Sequence, residues 1–220
     1  MKRLLPVLSM CVWLACAIPA AADVIVGLPA ETNNCYPFGC AYSGEYQQVY
    51  TSSAFSGPIT ITNLEFFNTE HDSGATAMNS GNWAISLSTT SVDWNTLSIN
   101  FASNIGLDNT LVFNGNLYQP WAFGDTLVIN LTTPFTYNPS NGNLLMDVIA
   151  IATNTSGMQI FFDANGDNTI MGRNETGGLN YGYGLVTEFS TGTAVPEPST
   201  MLLLGLGLIG LAGVRKKFKG

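Results

Sequence analysis

Large apolar residues alternate with small or polar ones through most of the chain, and no long segment carries an apolar stripe of helical period. Ile59-Thr60-Ile61-Thr62 leads into Leu64-Glu65-Phe66; Trp83-Ala84-Ile85-Ser86-Leu87-Ser88 and Leu127-Val128-Ile129-Asn130-Leu131-Thr132 repeat the scheme. Side chains at i, i+2 and i+4 share one strand face, so each run sets three large residues against a core. Further strands are expected at Tyr46–Thr51, Thr110–Asn114, Leu144–Ile151, Gln159–Phe162, Thr169–Arg173 and Gly184–Phe189. Leu144 to Ile151 is apolar on both faces except at Asp147, which predicts a central strand.

Turn signals separate the strands: Ser56-Gly57-Pro58, Asn79-Ser80-Gly81-Asn82, Asn114-Gly115-Asn116, Pro139-Ser140-Asn141-Gly142 and Asn165-Gly166-Asp167. Many short strands with such turns predict an all-β fold, an antiparallel, jelly-roll-like β-sandwich over residues 23–190. A parallel β-helix would need a short regular repeat, and none is found. Asp93-Trp94-Asn95-Thr96-Leu97 reads as one helical turn.

Both ends of the chain depart from this pattern. Lys2 and Arg3 precede an apolar stretch from Leu4 to Ile18, and Ala20-Ala21-Ala22 supplies small residues for cleavage. That is a secretory signal peptide over 1–22, cut between Ala22 and Asp23. A lipoprotein signal at Cys16 is the competing reading, with Trp13 where leucine is usual. At the other end, 191–200 is a linker containing Val195-Pro196-Glu197-Pro198, followed by the apolar run Met201 to Val214. Residues 215–220 are a basic cytoplasmic end with Arg215, Lys216, Lys217 and Lys219. An apolar run closed by cations is a stop-transfer pattern and predicts a single transmembrane helix over 201–214. As a helix those residues reach about 21 Å, short of a hydrocarbon core near 30 Å, which suits a transient anchor. Gly205, Gly207, Gly210 and Gly213 weaken the helix further.

This three-part tail resembles the PEP-CTERM sorting signal of bacteria that secrete exopolysaccharide. The matching residues are Pro196-Glu197-Pro198 with Ser199-Thr200, the Gly-punctuated run Leu202 to Gly213, and Arg215-Lys216-Lys217. The resemblance implies an exosortase as partner, a membrane-embedded cysteine transpeptidase that cuts near the motif and passes the protein toward the surface. It thus implies export through the secretion machinery, brief anchoring in the inner membrane, and delivery to the cell surface or extracellular matrix. The same module is also called the ice-binding protein C-terminal domain. Ice binding itself would call for a flat array of threonines, and Thr60 and Thr62 form only one pair.

Charge narrows the partners. From Asp23 to Val195 there are fourteen carboxylates against one cation, Arg173, a formal charge of −13 with His71 neutral. Such a surface repels phosphate backbones, which excludes nucleic acid, and it disfavours anionic polysaccharide. Cleavage of the signal removes Cys11 and Cys16 and leaves Cys35 and Cys40, which flank a Pro/Gly turn. In an oxidising compartment the pair reads as a local disulfide, with free thiols as the alternative.

Candidate chemistry is sparse. The single histidine, His71, lies in the polar loop Asn68–Gly74, and no G-x-S-x-G elbow supports a triad. Asp163, Asn165 and Asp167 place oxygens at i, i+2 and i+4, as calcium loops do, but the glycine is fourth and the twelfth residue is Asn174. They form a weak calcium candidate beside the plainer reading of a polar hairpin turn; no other cofactor is expected. No pair of carboxylates is singled out for glycoside hydrolysis. Trp83, Trp94 and the Tyr181/Tyr183 pair read mainly as core or loop anchors. Tyr118 and Trp121, in the loop Tyr118-Gln119-Pro120-Trp121, are the candidate glycan contacts. The expectation is a non-enzymatic structural or interaction domain, with a carbohydrate-binding module of the exopolysaccharide matrix as the alternative and a secreted hydrolase behind it.

Overall fold

The computed structural model describes residues 22–27, 32–154, 158–166, 170–175, 178–180 and 182–191. Residues 1–21 of the expected signal peptide and residues 192–220 of the expected sorting tail lie outside them, and with them the expected transmembrane helix. Among the described residues no helix is long and apolar enough to cross a membrane. The described chain is all-β, with strands joined antiparallel in three sheets.

One sheet runs in the order β1 (Val24–Val26), β13 (Thr187–Ser190), β4 (Ile59–Phe67), β7 (Thr126–Tyr137). The second runs β11 (Gly178–Asn180), β10 (Met171–Glu175), β3 (Gly44–Tyr50), β8 (Asn143–Asn154), β5 (Ser80–Thr90), β6 (Thr110–Gly115). A small third sheet joins β12 (Gly184–Leu185), β9 (Phe162–Asn165) and β2 (Thr32–Asn34). Pairing is nested: β3 binds β8 while β4, next along the chain, binds β7, the strand just before β8. The two larger sheets send their inward side chains into one hydrophobic cluster, a sandwich-like arrangement.

Alternation accounts for most of that core. Trp83, Ile85 and Leu87 of β5 are fully buried, as are Leu144, Met146 and Val148 of β8. Burying a side chain of this size contributes about 1.5–3 kcal/mol. In β4 the sequence changes phase, since Ile59 and Ile61 are odd-numbered while Leu64 and Phe66 are even. A bulge between Ile61 and Asn63 absorbs the extra residue, and all four side chains face inward.

The central position expected for 144–151 is observed, with β8 between β3 and β5. Its outer face is shared. Leu145 packs with Val49 and Leu97 beneath the 91–109 connection, whereas Ile149 and Ile151 stay exposed. Gly172 permits the close approach of that connection, because a Cβ there would stand 2.0 Å from the Trp94 carbonyl oxygen. The helical turn expected at 93–97 is a single hydrogen-bonded turn, with Thr96 N donating to Asp93 O at 3.0 Å.

Three expected strands shift, the first of them from Thr169–Arg173 to Met171–Glu175. The one placed at Gln159–Phe162 begins at Phe162, and Gly184–Phe189 divides at Val186, whose N–H donates to Asp163 O at 2.9 Å. Gly184–Leu185 thus joins the small sheet and Thr187–Ser190 the four-stranded one. Gln48, fully buried, imitates a strand: its Nε2 donates to Leu185 O and its Oε1 accepts from Leu185 N, both at 2.8 Å.

Candidate functional site

Cys35 and Cys40 form the expected disulfide, with Cα atoms 5.1 Å apart. Its loop is tied down on several sides. Gly39 N and Cys40 N donate to Cys35 O, and Asn79 Nδ2 donates to Phe38 O and Cys40 O. Gly39 is required here, since a Cβ would lie 1.8 Å from the Ile160 carbonyl oxygen. Phe38 packs tilted against Phe66 and edge-to-face with Phe162, so the staple plugs the core and carries no free thiol.

The candidate glycan contacts separate. Residues 76–78 hydrogen-bond to the Tyr118–Trp121 loop, with Met78 N donating to Gln119 O and Trp121 N to Thr76 O. This pairing turns Trp121 inward, contrary to its expected place on a loop surface. It is 5 % exposed, its ring meets Phe162 at 5.7 Å, and its Nε1 donates to Asn68 Oδ1. The indole is a core anchor and offers no face for stacking on a sugar. Tyr118 points the other way, 58 % exposed, beside Ser80 and Asn116 in an open depression of about 480 Å³. Trp83 is core as expected, and Tyr183 is exposed; Tyr181 lies outside the described residues.

Two residues of the calcium candidate are described. Asp163 and Asn165 are fully buried on β9, a strand and not a loop, and Asp167 lies outside the described residues. Asp163 Oδ1 accepts from Thr69 N at 2.7 Å and Glu70 N at 3.1 Å, and Oδ2 accepts from Thr69 Oγ1 at 2.6 Å. This carboxylate braces the His71 loop. Asn68 adds a second brace, donating to His71 O and Phe161 O. The loop holds His71 edge-on to Phe161, at 4.9 Å, on the rim of a depression of about 560 Å³ that Asp72 and Met158 also line. Asp72 Oδ1 accepts from Gly74 N within its own loop. Among the described residues, no three His, Cys, Asp or Glu side chains are grouped to hold a metal.

Two carboxyl pairs emerge that spacing along the chain conceals. Glu65 and Glu188 stand directly opposite across β4 and β13, and Ser190 Oγ donates to Glu65 Oε1 at 2.8 Å. Burial, then the facing Glu65 and Asp23, raise Glu188. Glu45 and Asp147 are hydrogen-bonded across β3 and β8. Burial first and Asp147 second push Glu45 up to about 7. Burial raises Asp147 as well, against the Gln47 Nε2–H donated to its Oδ1 at 2.9 Å. Two carboxyls in hydrogen-bond contact are closer than the roughly 5–9.5 Å that glycoside hydrolysis requires. The one sequence signal was Asp147 itself, the lone acid in an apolar run.

The remaining candidates sit at the ends of the domain. Ala22 and Asp23, the expected cleavage junction, are exposed and lead directly into β1. Asp23 Oδ1 accepts from Thr191 N at 2.8 Å and Thr191 Oγ1 at 3.3 Å, so the start of the domain holds the beginning of the sorting linker. Pro196, Glu197, Pro198, Arg215, Lys216 and Lys217 lie outside the described residues. No curated protein and no solved structure matches the chain. Residues 194–217 match the family model described as the PEP-CTERM protein-sorting motif. Behind its all-β domain the chain therefore carries a PEP-CTERM protein-sorting motif, which implies export and sorting to the cell surface by an exosortase.

Proposed function

We propose that the protein is a non-enzymatic surface or matrix component whose acidic, jelly-roll-like β-sandwich is exported, anchored briefly by its C-terminal helix and released by exosortase. The observation that carries this reading is the match of residues 194–217 to the sorting motif. The nested pairing of β3 with β8 and β4 with β7 supports the jelly-roll assignment. Protein recovered from its native cells is expected to begin at Asp23 and to have lost the tail near Pro196–Pro198. Intact mass and terminal sequencing read both ends, and mature cytosolic material retaining both would overturn the proposal.

A second reading is a carbohydrate-binding module, favoured by Tyr118, whose exposed ring stands beside the polar side chains of Ser80 and Asn116. The ligand would be a neutral polysaccharide, because the domain carries a charge of −13. A polysaccharide pull-down with the mature protein, with and without calcium, tests it. Loss of retention in Tyr118→Ala would locate the site, and equal retention by both forms would discard it.

A further inference from the structure

The outer face of the six-stranded sheet is covered unevenly. The 91–109 connection lies over Val49, Leu145 and Gln47, with Gln47 Nε2 donating to Phe101 O at 3.1 Å and Asn104 Nδ2 donating to Gln47 Oε1 at 2.8 Å. Beyond that cover the face is open. Register puts Asn114, Ala84, Ile149 and Glu45 in one row across β6, β5, β8 and β3, and the next row sets Asn82 opposite Ile151. Ile149 and Ile151 are 42 % and 55 % exposed and Asn114 stands in solvent, whereas Asn82, Ala84 and Glu45 are half-buried. Neighbouring strands lie about 4.8 Å apart, so the longer row reaches about 14 Å. Of these side chains only that of Glu45 ionises.

One end of the rows meets the Tyr118 depression, since Ser80 precedes Asn82 on β5 and Asn116 follows the end of β6. Asn82 Nδ2 donates to Asn114 Oδ1 at 2.7 Å, and Asn82 Oδ1 and Asn114 Nδ2 have no partner among the described residues. An oriented acceptor and an oriented donor thus stand between a flat aromatic ring and two exposed isoleucines. A chain of pyranose rings matches that combination, because each ring has an apolar C–H face and a rim of hydroxyls that both donate and accept. We propose that this open face is an extended glycan track, on which a neutral polysaccharide stacks at Tyr118, hydrogen-bonds to Asn82 and Asn114 and lies over Ile149 and Ile151. The inference rests on the carbohydrate-binding reading above and adds to it that the site holds more than one sugar unit, and where the further units lie. Charge selects the neutral class. A domain at −13 repels uronate or sulfated chains, and no residue of the track is a cation.

The mature protein is first offered insoluble glucan, mannan, galactan and xylan, with alginate as the anionic control. Oligosaccharides of the retained polymer are then titrated by calorimetry. Affinity is expected to rise about tenfold from disaccharide to tetrasaccharide, whereas a platform limited to Tyr118 would be filled by the disaccharide. Asn82→Ala and Ile149→Thr should each weaken the hexasaccharide about fivefold and leave the disaccharide unchanged, while Tyr118→Ala should weaken both. Ile149→Thr keeps strand propensity, and thermal midpoints identify the variants that fold as the unsubstituted protein does. Thr136→Ala, on the outer face of the other sheet, should bind both oligosaccharides as before. Equal affinities of the unsubstituted protein for disaccharide and hexasaccharide would overturn the track and leave Tyr118 as a single platform. Full hexasaccharide affinity in folded Asn82 and Ile149 variants would do the same. Stronger retention by alginate would overturn the neutral ligand. Retention by none of the polymers would overturn the carbohydrate reading beneath it.

Discussion

At Trp121 the indole fills space against Phe162 and gives its N–H to Asn68, while three residues earlier the Tyr118 ring stands in solvent. The substitutions should therefore diverge. Trp121→Ala is expected to cost about 3–5 kcal/mol in urea unfolding, the range for deleting a buried large aromatic. Tyr118→Ala should stay within about 0.5 kcal/mol, as substitutions away from the core do. Equal losses would contradict the burial seen here. Glu45 supplies a second residue-level expectation. Its carboxyl, about 7 in the folded protein against an ordinary 4.5, gains proton occupancy on folding between those pH values. The unfolded chain binds fewer protons in that window, so stability falls as pH rises through it. Asp147, Glu175 and Glu188 are raised too and act with the same sign. Glu45→Gln should flatten the decline by on the order of 1 kcal/mol once solvent screening is discounted. An unchanged slope between pH 4.5 and pH 7 would remove Glu45 from that role.

At the scale of elements, strands with clean alternation were legible, as was the continuous apolar run of β8, and the shortest strands were not. β5 and β7 follow their period-two runs because one face of each is core and the other is not. The small sheet escaped notice because β2, β9 and β12 are two to four residues long, and their burial depends on partners remote in sequence. β2 reads Thr-Asn-Asn, with no apolar signal at all. The disulfide was legible for a local reason, since six residues with a Pro/Gly turn close on themselves without help from the fold. Its loop, however, also carries Phe38 into the aromatic cluster and Gly39 against Ile160. Cys35→Ser with Cys40→Ser should cost about 2 kcal/mol from the small closed loop, and more if Phe38 is released. Urea unfolding of the oxidised and substituted forms measures it. A difference near zero would mean that hydrogen bonds to Asn79 and Ile160 hold the loop unaided.

Across the whole molecule, destination was written locally and geometry was not. The Pro-Glu-Pro motif within 194–217 is a contiguous signal, and the charged start, the small residues before Asp23 and the apolar run ending in cations, on which the proposed export and anchoring rest, are contiguous patterns of the same kind. Composition likewise sufficed for the acidic surface, and strand alternation for the all-β class, because both are sums over neighbouring residues. Only the tertiary structure decided that Trp121 turns inward and that Asp163 braces a loop. It alone set Glu45 against Asp147 and closed Asp23 onto Thr191. Each of those depends on contacts between segments from roughly 45 to 170 residues apart, where cross-strand register and the bulge in β4 select which side chains meet.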